Sequence, residues 1–174
     1  MILKTLKEKK LNSIIKKKLS QRNAGSAYSG NEFVSALCLV NFDEIKDVKQ
    51  LFRLAEELEI EEAEFKIIGY VKKIDKTEPY PIAVFSDSSI LITGSINNFK
   101  VNHYLEKEYD LVINYYSEKT LPLLLVSALA NARFRIGLGQ DNTDFNDLTL
   151  KGPINDFEYF KEELVKYLKI LNKK

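Results

Sequence analysis

Between Ser35 and Phe42 the chain runs SALCLVNF, eight residues with hardly a polar side chain. A run this short and this apolar reads as a β-strand covered on both faces, the pattern of parallel rather than half-solvated antiparallel sheets. Directly after it, Ile45, Val48, Leu51, Phe52, Ala55 and Leu58 recur at spacings of three and four, an amphipathic helix with Asp43 placed to cap it. Glu64–Lys72 then supplies a second strand and closes a βαβ unit. No other local feature constrains the fold as tightly, because parallel strands require such a crossover.

The same alternation continues downstream. Pro79 to Phe99 reads either as one parallel strand or as a hairpin of Ile82–Phe85 and Ile90–Thr93 around SDSS. Val101–Glu108 reads as a short helix and Asp110–Tyr115 as a strand. Thr120 is placed to cap a helix that carries Pro122 in its first turn and is apolar nearly all round, hence packed on more than one side. Arg133–Leu138 and Leu148–Leu150 are further strands. A last helix presents Phe157, Phe160, Leu164, Leu168 and Leu171, with Asn155 and Glu158 spaced as a capping box. The expected fold is α/β: three layers, a mostly parallel Rossmann-like sheet with helices on both faces, preceded by a basic N-terminal helical arm. Residues 1–30 are expected to form the arm and a Gly/Ser-rich linker (NAGSAYSGN), and residues 31–174 a single domain, a size that buries a substantial core.

Charge divides the chain at the same place. Residues 1–30 hold eight basic residues (Lys4, Lys7, Lys9, Lys10, Lys16, Lys17, Lys18 and Arg22) against Glu8, a formal +7; the other 144 hold 18 basic and 24 acidic groups, a formal −6. Leu11, Ile14, Ile15 and Leu19 share one helical face of the arm, with lysines around it. Lysines neutralise phosphates and release counterions, and a bipolar molecule turns its cationic end toward a polyanion. Those eight residues are therefore the expected contact with RNA or a ribosome-like assembly. Only Arg22 and Tyr28 in this region could read bases, so the contact falls on the backbone. The alternative partner is an anionic membrane surface or membrane-protein complex, which the apolar face of the same helix would meet.

A small-molecule site, for a nucleotide or nucleotide sugar, belongs at the carboxyl ends of the strands. The candidates there are Asn114, Tyr116, Ser117, Lys119 and Thr120, with Gln140 and Asp141 after the next strand. Neither turn carries the glycines that let backbone N–H groups reach a phosphate, and NFDE after the first strand places two acids at a helix start, so no dinucleotide motif is present. Asp141, Asp144 and Asp147 fail the alternate-position pattern of a calcium loop, with Thr143 and Phe145 in the ligand positions. His103, the single histidine, sits in a polar stretch, and Cys38, the single cysteine, in an apolar one that implies an inert thiol. No catalytic residue, metal or cofactor is assigned. The absence of a membrane-length apolar stretch or a secretory h-region leads to the expectation of a cytoplasmic protein.

Two resemblances add to this reading. Residues 110–139, DLVINYYSEKTLPLLLVSALANARFRIGLG, resemble the C-terminal-domain segment of heptosyltransferase-type GT-B glycosyltransferases, without the Gly and His that serve the nucleotide sugar there. The likeness implies topology, not activity. The segments DLVIN and SALANARFRIG, with the closing YLKIL helix, resemble a small functionally uncharacterised family found in Bacteroidota, particularly flavobacteria. That resemblance implies a cytoplasmic bacterial protein and brings no catalytic residues.

Overall fold

The computed structural model describes residues 1–22, 32–45, 47–77, 79–139 and 144–172. The linker expected after Arg22 lies outside the described residues. Among the described residues six strands form one sheet: β1 (Ala36–Asn41), β2 (Phe65–Tyr70), β3 (Ala83–Phe85), β4 (Glu108–Tyr115), β5 (Asn131–Leu138) and β6 (Leu148–Leu150). Every pairing is parallel and the order is β3-β2-β1-β4-β5-β6. The chain moves outward from β1 to β3, returns to the other side of β1, and moves outward again to β6. This is the strand order of doubly wound dinucleotide folds, with its reversal between β1 and β4.

Period-two alternation sends the strands into two cores. Ala36, Cys38 and Val40 of β1 face one way, with α2 (Lys49–Glu57) and α5 (Phe157–Asn172) over them. Leu37 and Leu39 face the other, under α4 (Leu121–Leu129), with α1 (Ile2–Ser20) and α3 (Phe99–Leu105) contributing Leu11, Ile15 and Val101 to the same core. The expected three-layer α/β architecture is therefore present. The N-terminal helix is part of a layer: Leu11 and Ile15 are 3% and 6% exposed. Burying two such side chains contributes about 3–6 kcal/mol, enough to hold α1 against the body.

Local chemistry departs from expectation at two helix starts. Asp43 does not cap α2; its carboxylate accepts the Lys72 N–H, and the helix begins six residues later, just after Asp47 takes the Lys49 N–H. Asn155 does not cap α5; Asp156 accepts the Tyr159 N–H instead. Of the two readings of Pro79 to Phe99 the single parallel strand is present: β3 pairs with β2, after it the chain makes a 3-10 turn at Asp87–Ser89, and Ile90 meets Ile96 in an isolated antiparallel bridge. A three-residue β3 leaves too little ladder for a hairpin partner. Thr120 does cap α4, accepting the Leu123 N–H.

Candidate anion-docking surfaces

The cationic residues of the N-terminus divide into two groups. Lys4, Lys9, Lys10, Lys16, Lys17 and Lys18 are exposed, and none forms an ion pair with another described residue. Lys7 is half-buried and donates to the Asp87 carbonyl at 3.2 Å. The lysines face outward because Leu11 and Ile15 take the inward face, with Ile14 and Leu19 packed at its borders. At 100° per residue, Lys9, Lys10, Lys16 and Lys17 occupy an outward arc of about 120°. Met1, Ile2, Leu3 and Leu6 leave an exposed apolar end on the same helix. Arg22, expected with the lysines, is turned inward: its guanidinium pairs with the Asp147 carboxylate and donates to the Asp144 carbonyl, and both ion-pair side chains are nearly covered.

At the carboxyl edge of the sheet Asn114, Ser117 and Thr120, all expected ligand-binding residues, have protein partners. Asn114 is buried; its Nδ2 donates to Asn146 Oδ1 at 2.8 Å and its Oδ1 accepts the Ser127 hydroxyl at 3.0 Å. Gly137 makes room for this arrangement, since a Cβ there would stand 2.1 Å from Asn146 Nδ2. Tyr116 is buried, and burial pushes its phenol up to about 12 despite the Ser127 hydrogen bond. Ser117 lends its N–H and hydroxyl to the Glu44 carboxylate, which also takes the Glu118 N–H. Glu44 thus occupies the N–H groups of the turn beside the strand-order reversal. Lys119 is exposed. Gln140 and Asp141 lie outside the described residues. Thr120 alone of the strand-end candidates meets the α1 lysines, sharing with Lys4, Lys7, Tyr70 and Asp87 a cleft of ≈ 380 Å³. Burial, then the neighbouring Asp87, raises the Tyr70 phenol to about 12.

The remaining sequence candidates are plain structural residues. Cys38 is fully buried, with its thiol pushed up to about 12 by that burial. His103 is exposed and stacks on Phe99. Among the described residues no cluster of three His, Cys, Asp or Glu side chains could hold a metal, and no helix is long and apolar enough to cross a membrane. Sequence reasoning missed Glu44, whose loop partners lie 73 residues away, and a group of arginines at the amino edge of the sheet. For the arginines a signal existed: the chain has 22 lysines and only four arginines, two of them in ARFR.

A family model described as a family of unknown function (DUF6913) matches residues 7–171. No curated protein and no solved structure matches the chain.

Proposed function

We propose that this chain, which belongs to that family of unknown function, is a non-catalytic binding module that docks on RNA, or on an RNA-rich assembly such as a ribosome, through the lysines of α1. The observation that carries the reading is the row of exposed lysines, without ion pairs to other described residues, on a helix seated in the core. Because α1 is already ordered, its lysines meet phosphates without the entropy cost of folding an arm at the moment of contact. The strand-end turn offers less, since its N–H groups already hold a carboxylate.

The test is the salt dependence of binding to bulk RNA by the full chain and by a variant with Lys9, Lys10, Lys16 and Lys17 changed to Gln. Four phosphate contacts on single-stranded RNA give a slope of about −3 in log K against log salt, and the variant is expected to lose most of it. Unchanged binding by the variant would refute the reading. Deleting the helix is the wrong experiment, because Leu11 and Ile15 leave the core with it.

A second reading has its own observation. Met1, Ile2, Leu3 and Leu6 are exposed at one end of the lysine row, as a helix lying on an anionic membrane surface requires. Flotation with anionic vesicles separates the two: Leu3→Ser with Leu6→Ser abolishes flotation on the membrane reading and leaves the RNA slope untouched on the first.

A further inference from the structure

Three of the four arginines, Arg22, Arg133 and Arg135, line one cleft of ≈ 550 Å³ with Lys18. It lies at the amino ends of β4 and β5, between the last turns of α1 and α4, on the opposite edge from the turn that Glu44 closes. In a chain that uses lysine almost everywhere, arginine here has a physical meaning. Its planar fork suits phosphate and carboxylate oxygens, and it tolerates burial better than an ammonium.

Arg135 is the unusual member. It is 4% exposed, and its two terminal nitrogens donate to the Ser127 and Ala130 carbonyls at the end of α4. Its Nε has no partner among the described residues, and its guanidinium forms no ion pair with any of them. The nearest carboxylate is already occupied: one Asp147 oxygen pairs with Arg22 and the other accepts the Arg135 backbone N–H at 2.8 Å. Burial, then the charge of Arg22, lowers Arg135 to about 10, still a cation at neutral pH. Buried charges are ordinarily paired; two guanidinium groups here share the single Asp147 carboxylate, which pairs directly with Arg22 and acts on Arg135 only through space. Arg133 pairs with Asp110 at 2.7 Å yet keeps 27% of its side chain exposed, and Lys18 is exposed at the mouth. Glu106 and Glu108 also border the cleft. They disfavour a bare polyanion and suit a ligand that brings hydroxyl or amino donors beside its anionic group.

We propose that this cleft binds a phosphoryl group carried on a nucleoside, with Arg133 and Lys18 on its oxygens above Arg135 and with sugar or base donors meeting Glu106 and Glu108. The same chemistry is offered by a free mononucleotide and by the 5′-phosphorylated end of an RNA strand. The site does not depend on the α1 docking reading.

Calorimetric titration and thermal melting of the full chain test it with four probes: a nucleoside monophosphate, its parent nucleoside, and a short RNA with a 5′-phosphate or a 5′-hydroxyl. The monophosphate is expected to bind and, at about a hundredfold excess over its dissociation constant, to raise Tm by several degrees, while the nucleoside does neither. Preference for 5′-phosphate RNA over 5′-hydroxyl RNA assigns the ligand to a strand end; its absence, with the monophosphate still bound, assigns it to the free nucleotide. Lys18→Gln, a substitution at an exposed position, should weaken binding about tenfold, the scale of one charge-assisted hydrogen bond. Arg133→Gln should weaken it further. The Lys9/Lys10/Lys16/Lys17 variant should bind the monophosphate like the parent, which keeps this result separate from the RNA slope. Failure of the monophosphate to bind, or equal binding by Lys18→Gln and the parent, overturns the proposal.

Discussion

The two edges of the sheet use charged and polar residues in opposite ways. At the carboxyl edge, Glu44 receives the Ser117 N–H, the Ser117 hydroxyl and the Glu118 N–H, while Asn114, Asn146 and Ser127 satisfy one another. At the amino edge, Asp110 and Asp147 are just as fully engaged, but the Arg135 guanidinium beside them donates to two carbonyls and keeps one N–H without a partner among the described residues. A network of paired groups holds the fold, whereas a buried cation with one N–H unpartnered among the described residues is where an added anion would be favoured. In doubly wound sheets the carboxyl edge is the usual place for a site. Here the internal hydrogen bonds close the turn at the strand-order reversal and leave the opposite edge open to one.

The sharpest way to break the comparison is at Asp110. Its carboxylate accepts the Val34 and Ser35 N–H groups at 3.0 and 3.1 Å, the Ser35 hydroxyl at 3.1 Å and the Arg133 guanidinium. Asp110→Ala strands these donors and should cost about 3 kcal/mol in urea denaturation. Burial pushes the Asp110 carboxyl up, but Arg133, the Val34 N–H and Ser35 outweigh it and hold the group below its ordinary range. A lowered folded value gives stability that is present above the unfolded value of about 3.9 and lost as pH falls through the folded one. The stability gap between parent and variant should therefore stay level from neutral pH to about 5 and narrow below about 4.

Next in size is Gly137→Ala at the carboxyl edge. The added methyl collides with Asn146 and removes its bond to Asn114, an overpacking cost of about 2 kcal/mol by denaturation. Nucleotide binding at the other edge should not change, and a loss there would join the two edges. Glu44→Ala should cost about 1 kcal/mol, because the loop donors it releases lie at the surface and recover water. Smallest is Lys9→Gln with Lys16→Gln, within about 0.5 kcal/mol of the parent, as expected for exposed residues that form no ion pair with another described residue.

Much of the architecture was legible because periodicity reports burial. SALCLVNF buries every residue from Ser35 to Asn41, and the three-four spacing of Val48, Leu51 and Ala55 became the inner face of α2 and the turn leading into it. Helix starts were less legible: Asp43 and Asn155 had the right chemistry for caps, yet α2 begins after Val48 with no side-chain cap, Asp47 taking only the Lys49 N–H, and at α5 it is Asp156 that accepts the Tyr159 N–H. Tyr116 followed another rule. With Tyr115 it sits where a strand runs out, and both rings are buried, one in each core.

From its residues alone the chain determined a parallel sheet between two helical layers and a lysine-rich first helix, since both follow from spacing over a few residues. Tertiary structure alone decided that α1 would be seated rather than tethered, and that Arg22 would leave the lysines for Asp147, 125 positions away. It also decided that Glu44 would close one edge while Arg135 waited at the other. Local patterns encode which face is buried, whereas the partner of a buried charge depends on where distant strands and loops come together, and no spacing records that.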